Sequence, residues 1–113
     1  MRRPWARSED EAAPELRSTE ATSTILAAPL GRVVRIYGDI ASVIVRPEHA
    51  TQALEAEVDD GVDLLVVVWM GRSGIRGVEP GRGITVEGRV VELDGRRMMF
   101  NPRYELAPRG GAE

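Results

Sequence analysis

The sequence predicts an all-β chain whose strands close into one small barrel, and three observations carry that prediction. Segments of alternating apolar and polar residues recur through residues 30–106. Two Asp-Gly pairs, Asp60-Gly61 and Asp94-Gly95, fall between such segments. The run from Val62 to Met70 is apolar and β-branched at its middle, with neither Gly nor Pro inside. Alternation is the period of a pleated strand, Asp-Gly is a tight-turn pair, and β-branched residues pack well on a pleated surface. Short strands leave exposed edges unless the sheet curls shut, so five strands in a closed barrel are expected.

In chain order, residues 1–28 read as an N-terminal tail, charged and interrupted by Pro4 and Pro14, flexible or with a short helix from Pro14 to Thr24. Trp5 reads as exposed, and Ile25 and Leu26 as an anchor for the tail. The barrel is expected over 29–107, with 108–113 disordered. Leu30 to Arg46 reads as one long first strand, bent at Gly38 so that it serves two sides of a barrel. Pro47 to Thr51 is a loop holding His49. Gln52 to Asp59 alternates, with Leu54, Ala56 and Val58 inward and Glu55 and Glu57 outward. Asp60-Gly61 is the turn into the third strand, Val62 to Met70. Asp63, as a carboxylate, is assigned outward. That phase sends Leu64, Val66, Val68 and Met70 inward and Leu65, Val67 and Trp69 outward. An outward row that apolar needs a cover.

Gly71 to Gly83, with five glycines and Pro80, is a connector with one helical turn around Ile75 to Val78. Ile84 to Leu93 is the fourth strand, Asp94-Gly95 the second turn, and Arg97 to Phe100 the fifth strand. Asn101-Pro102 ends its regular pairing or puts it at an edge, and Tyr104 and Leu106 fold back onto the core. A connector between strands three and four matches the OB-fold. An SH3-like barrel is the rival, but its short helical turn lies between the last two strands, which a tight turn joins here.

Composition excludes several functions. Without cysteine there is no disulfide, thiolate metal site or cysteine nucleophile, and His49 is the sole histidine. The glycine-rich connector lacks the Gly-Lys-Ser/Thr of a phosphate loop. Asp59, Asp60 and Asp63 are accounted for by turn chemistry rather than by a cation. No enzyme, metal or cofactor is expected. No apolar run is long enough to span a membrane, and the expected setting is the cytoplasm. All fifteen basic residues are arginine, a residue suited to phosphates and bases, although GC-rich coding alone yields the same bias. The net charge of −3 gives no global basic field.

The segments Gly31 to Ile40, Val66 to Arg72, Ile75 to Gly81, Val86 to Gly88 and Met99 to Leu106 together resemble OB-fold nucleic-acid-binding domains. The resemblance is collinear over 30–106. It points to small single-domain proteins of actinobacteria and, more distantly, to anticodon-binding domains and the wedge domain of a branch-migrating helicase. It implies a binding face on the second and third strands, flanked by the loops Pro47 to Thr51 and Leu93 to Arg96.

Single-strand binders combine arginines for phosphates with aromatics for bases. The candidate nucleic-acid-binding residues are Arg35, Tyr37, Trp69, Arg72, Arg76, Arg96 and Arg97, and the expected function is weak, low-specificity binding of single-stranded DNA or RNA. Glu55 and Glu57 depart from that pattern by placing carboxylates on the expected binding face. The alternative is a protein-interaction module that self-associates or docks a partner through the third strand.

Overall fold

A computed structural model describes residues 21–48 and 51–108. The expectations for residues 1–20, for His49 and for 109–113 lie outside the described residues. Seven strands form one mixed sheet: β1 (Val33–Glu48), β2 (Thr51–Asp59), β3 (Leu64–Met70), β4 (Gly83–Arg89), β5 (Val91–Leu93), β6 (Arg96–Phe100) and β7 (Arg103–Leu106). Their order is β5-β6-β3-β2-β1-β4-β7, with β3 and β6 parallel and the other neighbours antiparallel. The all-β class holds. The closed five-stranded barrel is corrected to an open series of seven strands.

The two extra strands have local causes. Val90 separates β4 from β5, its side chain buried and its carbonyl accepting from Gly31 N–H at 2.8 Å. Asn101 and Pro102 separate β6 from β7; Asn101 takes a left-handed φ of 51°, and Pro102 has no N–H to give.

β1 bends, as expected, and serves two partners. Its first half pairs with β4 from Val33 to Asp39, and its second half pairs with β2 from Asp39 to Glu48. The ladder irregularity lies between Ile40 and Ser42 rather than at Gly38. Gly38 is needed for another reason: a Cβ there would lie 2.6 Å from the Asp59 carbonyl oxygen. In β2, Leu54, Ala56 and Val58 face the core as expected.

The third strand reverses its expected faces. Leu65, Val67 and Trp69 lie in the main core, while Val66 and Val68 lie on the other face, and Leu64 and Met70 are exposed. Asp63 is not in the strand. It belongs to a four-residue loop organised by Asp60, whose Oδ1 accepts from the N–H groups of Val62 and Asp63, both at 3.0 Å. The residue chosen to set the phase therefore carries no strand phase. The facing pairs Leu54–Trp69, Ala56–Val67 and Val58–Leu65 set it instead.

The main core joins these residues to Val34, Ile36, Ile84, Val86, Met99 and Tyr104. Each fully buried aliphatic side chain contributes about 1.5–3 kcal/mol. Ile25 is fully buried and seals one end of this core, whereas Leu26 beside it is exposed. Ala21 to Thr24 are not helical. In the connector, Ile75 and Val78 are buried as expected, held by a turn (Val78 N–H to Ile75 O, 3.0 Å) with no helix. The hairpin at Asp94-Gly95 is as expected, with left-handed φ values of 52° and 76°.

Candidate functional site

The side of the sheet away from the main core carries an ordered surface over the second half of β1, β2, β3 and β6. Register fixes its rows. Ile44, Glu55, Val68 and Phe100 lie in one, and Ser42, Glu57, Val66 and Met98 in the next. A third row runs Arg46, Ala53, Met70. Ala53, Val66 and Val68 form a second, small apolar cluster against which Met98 packs. Phe100 is 43% exposed at its edge, and Ile44 and Met70 are also exposed.

Charge on this face is paired. Arg46 Nε meets Glu55 Oε2 at 3.0 Å, and Arg96 Nη2 lies 4.0 Å from Glu57 Oε2. The Ser42 hydroxyl donates to Glu57 Oε1 at 3.2 Å. Where β3 begins, a groove of about 430 Å³ runs between Leu26, Leu64, Val66, Glu92 and Arg96. At the other end Asn101 ties β3 to β6. Its N–H donates to Val68 O at 2.6 Å, and its Oδ1 accepts from Met70 N–H at 2.8 Å. These two bonds fix the level at which Phe100 stands.

The residues expected to bind are not gathered in one place. Trp69 is corrected from an outward platform to a core residue, 3% exposed. Its indole N–H donates to Pro102 O at 3.3 Å, and its ring meets Tyr104 edge-on at 5.7 Å between centroids. Arg97 turns inward, and one of its terminal nitrogens donates to Ile25 O and Ala28 O at 3.3 and 2.9 Å, clamping the segment that seals the core. Arg35 and Tyr37 lie on the outer face of the first half of β1, beside β4 and β7. There Arg35 and Arg103 flank Glu87, each at 3.8 Å, and Tyr37, 46% exposed, lies over Gly83 beside a small cavity of about 210 Å³. Arg76 is exposed and Arg72 half-buried in the connector. Of the seven, only Arg96 belongs to the face that carries Glu55 and Glu57.

Sequence reasoning missed Phe100 and Met98. In the structure Met99 between them is fully buried, and alternation puts both neighbours on the opposite face; in the sequence Arg97, which shares the face of Met99, pointed the other way. Among the described residues no group of three or more acidic or histidine side chains could hold a metal ion, and no helix is long and apolar enough to cross a membrane. Burial pushes the Asp60 carboxyl up, but N–H donation from Ile25, Asp63 and Val62 outweighs burial and holds it below the ordinary aspartate value of 3.8.

No protein-family model matches the chain, and no curated protein matches it. Among solved structures, RecG bound to a three-way DNA junction is similar, with a TM-score of 0.53 at 21% identity. The match covers 73% of this chain and 12% of that one, so the likeness is to a small part of a much longer protein and is one of fold.

Proposed function

We propose that this chain is a nucleic-acid-binding module of OB-fold type, without catalytic activity, that holds single-stranded DNA or RNA weakly on the outer face of β2, β3 and β6. The observation that carries the reading is the exposed Phe100, which stands with the exposed Ile44 and Met70 around the buried cluster of Ala53, Val66 and Val68, with Arg96 four residues away on the same strand. Bases stack on aromatic rings irrespective of sequence, and an adjacent guanidinium takes the phosphate. The RecG likeness supports the fold half of this reading. So does the continuity of the strands. If Val90 is one interruption and Asn101-Pro102 another, β4 with β5 and β6 with β7 are two long strands of a single hairpin, and five segments remain. A cytoplasmic setting belongs to the same proposal.

A titration of labelled single strands against the protein at low and moderate salt tests it. Affinity should fall as salt rises, and Phe100→Ala should weaken it at least about fivefold, the low end of what one stacked base contributes. Trp69→Phe, in protein that remains folded, should leave it unchanged. Absence of binding at low salt, or a Phe100→Ala protein that binds as well as the parent, would sink the reading.

A second reading rests on the exposed Ile44, Leu64 and Met70 that border the same cluster. A protein partner, or another copy of the chain, would cover that apolar rim. Concentration-dependent mass in sedimentation, together with no oligonucleotide binding, would favour it.

A further inference from the structure

The second half of β1 has an open edge. β1 passes from β4 to β2 at Asp39, so beyond that point only one side of the strand is paired. The ladder fixes which groups face outward. Gly71 N–H donates to Gln52 O, so the even-numbered residues of β2 turn their backbone groups to β3 and the odd-numbered ones turn theirs to β1. Opposite Glu55 and Ala53 stand Ile44 and Arg46, which therefore bond to β2. Val43 and Val45 alternate with them and direct N–H and C=O away from β2. The connector closes this edge as far as Ile40, which exchanges bonds with Gly81 and Arg82 at 2.7 and 2.9 Å. Among the described residues no backbone group pairs with Val43 or Val45 on that side. The register shift between Ile40 and Ser42 bounds the open stretch at one end, and Pro47, which has no N–H, bounds it at the other. Side chains leave the stretch uncovered too: Ile44 and Val45 point to opposite faces, yet they are 45% and 44% exposed. Open edges of natural sheets are guarded by charge or kept short, and an apolar one is a template for another strand.

We propose that a second copy of this chain pairs with this edge, β1 antiparallel to β1 about a two-fold axis at Ile44. The register follows from the strand itself. With Ile44 opposite the partner's Ile44, Val43 faces the partner's Val45, and Val45 faces the partner's Val43. Each such pair exchanges both its bonds, so every outward N–H and carbonyl of the two valines is satisfied. Shifted toward Pro47, Val43 would face the partner's Pro47, which has no N–H, and the Val43 carbonyl would be left unpaired. Shifted the other way, Val45 would meet the bulge. Side chains agree with the first register. The two Ile44 side chains meet on the outer face as a non-hydrogen-bonded pair, their Cα atoms about 4.5 Å apart. Arg46 comes opposite the partner's Ser42, beside the Glu57 to which that hydroxyl donates. Its contact with its own Glu55 uses Nε and leaves the terminal nitrogens for this second carboxylate. The copies meet edge to edge, so Phe100 and Met70 stay open in both. The row Ile44, Glu55, Val68, Phe100 then continues into the same row of the partner, and the two Phe100 side chains stand about 33 Å apart along the sheet. The pairing does not rest on the nucleic-acid reading, and it differs from a copy laid over the apolar rim.

Cross-linking tests the register, because the chain has no cysteine of its own. Ile44→Cys, at an exposed position, puts one thiol on the axis, where the Cα separation suits a disulfide. With oxidised glutathione it should form disulfide dimers at least about tenfold faster than Met70→Cys, which is exposed on the same face but lies far from the axis. In sedimentation the parent's mass should rise with concentration toward twice that of the monomer. Val45→Pro removes an N–H that the chain's own ladder does not use, and it should keep the protein monomeric at those concentrations. A parent that stays monomeric up to millimolar concentration would overturn the inference, as would a dimer that persists in folded Val45→Pro. Met70→Cys cross-linking as fast as Ile44→Cys, or faster, would overturn it too, since the copies would then meet face to face over the rim.

Discussion

Gly38 shows how one position can be fixed by its neighbours rather than by its own conformation. A Cβ there would meet the Asp59 carbonyl oxygen at 2.6 Å and a Val58 methyl at 2.7 Å. Both belong to the end of β2, where β1 passes from one partner strand to the other, so backbone rather than a pliable side chain must give way. Gly38→Ala is expected to destabilise the fold by about 1–3 kcal/mol, the usual cost of overpacking. Urea unfolding checks it: a midpoint equal to that of the parent would show that the β1–β2 crossing is loose. The sequence marked Gly38 as special but not why, since nothing local says that a strand end crosses there. Trp69 is the converse. Its type alone is compatible with either face, because an aromatic ring serves a core as well as a ligand site; the indole needs only a buried acceptor, and Pro102 O supplies one.

At the scale of elements, the phase of β3 was legible, but from its partner rather than from itself. The alternation of β2 is unambiguous, and an even number of loop residues, whether Asp60-Gly61 alone or Asp60 through Asp63, places Leu65, Val67 and Trp69 on the same face as Leu54, Ala56 and Val58. The isolated carboxylate of Asp63 is the weaker guide, because turn-forming aspartates stand just outside strands. The segment sealing the core was only partly legible. Ile25 is an apolar anchor, as its type suggests, but the groups that hold the segment come from far along the chain: Arg97 on its carbonyls, and Asp60 Oδ2 on the Ile25 N–H at 2.9 Å. The N–H bonds that hold Asp60 below 3.8 also tie its charge to stability. A carboxyl group whose folded value is depressed stabilises the fold above its unfolded value, and that contribution is lost as pH falls through the lower, folded value. Asp60→Asn keeps an acceptor but not the charge. The stability difference between the parent and Asp60→Asn should therefore be constant near neutrality and should narrow as pH drops below 3.8. Denaturant melts at a series of pH values measure it, and a difference that stays flat well below 3.8 would mean that the Asp60 charge does not hold the segment.

For the molecule as a whole, the balance of charge sets how any nucleic acid would be held. The net charge is −3, and on the outer face the arginines are matched to glutamates, Arg46 to Glu55 and Arg96 to Glu57. No long-range positive field draws a polyanion in, so Phe100 and the exposed Ile44 and Met70 must supply most of the affinity, with few phosphates neutralised. That fixes the salt dependence. Each phosphate contact on a single strand contributes a slope of about −0.7 to the logarithm of affinity against the logarithm of salt, so two or three contacts give about −1.4 to −2. Arg96→Ala should flatten that slope by about 0.7, while Phe100→Ala should lower affinity at every salt concentration without changing the slope. A slope steeper than about −4 would require more phosphate contacts than this face can make. It would move the binding surface to the arginines of the connector and of the β1–β4–β7 side, leaving the sheet as scaffold and the row of Phe100 without a ligand.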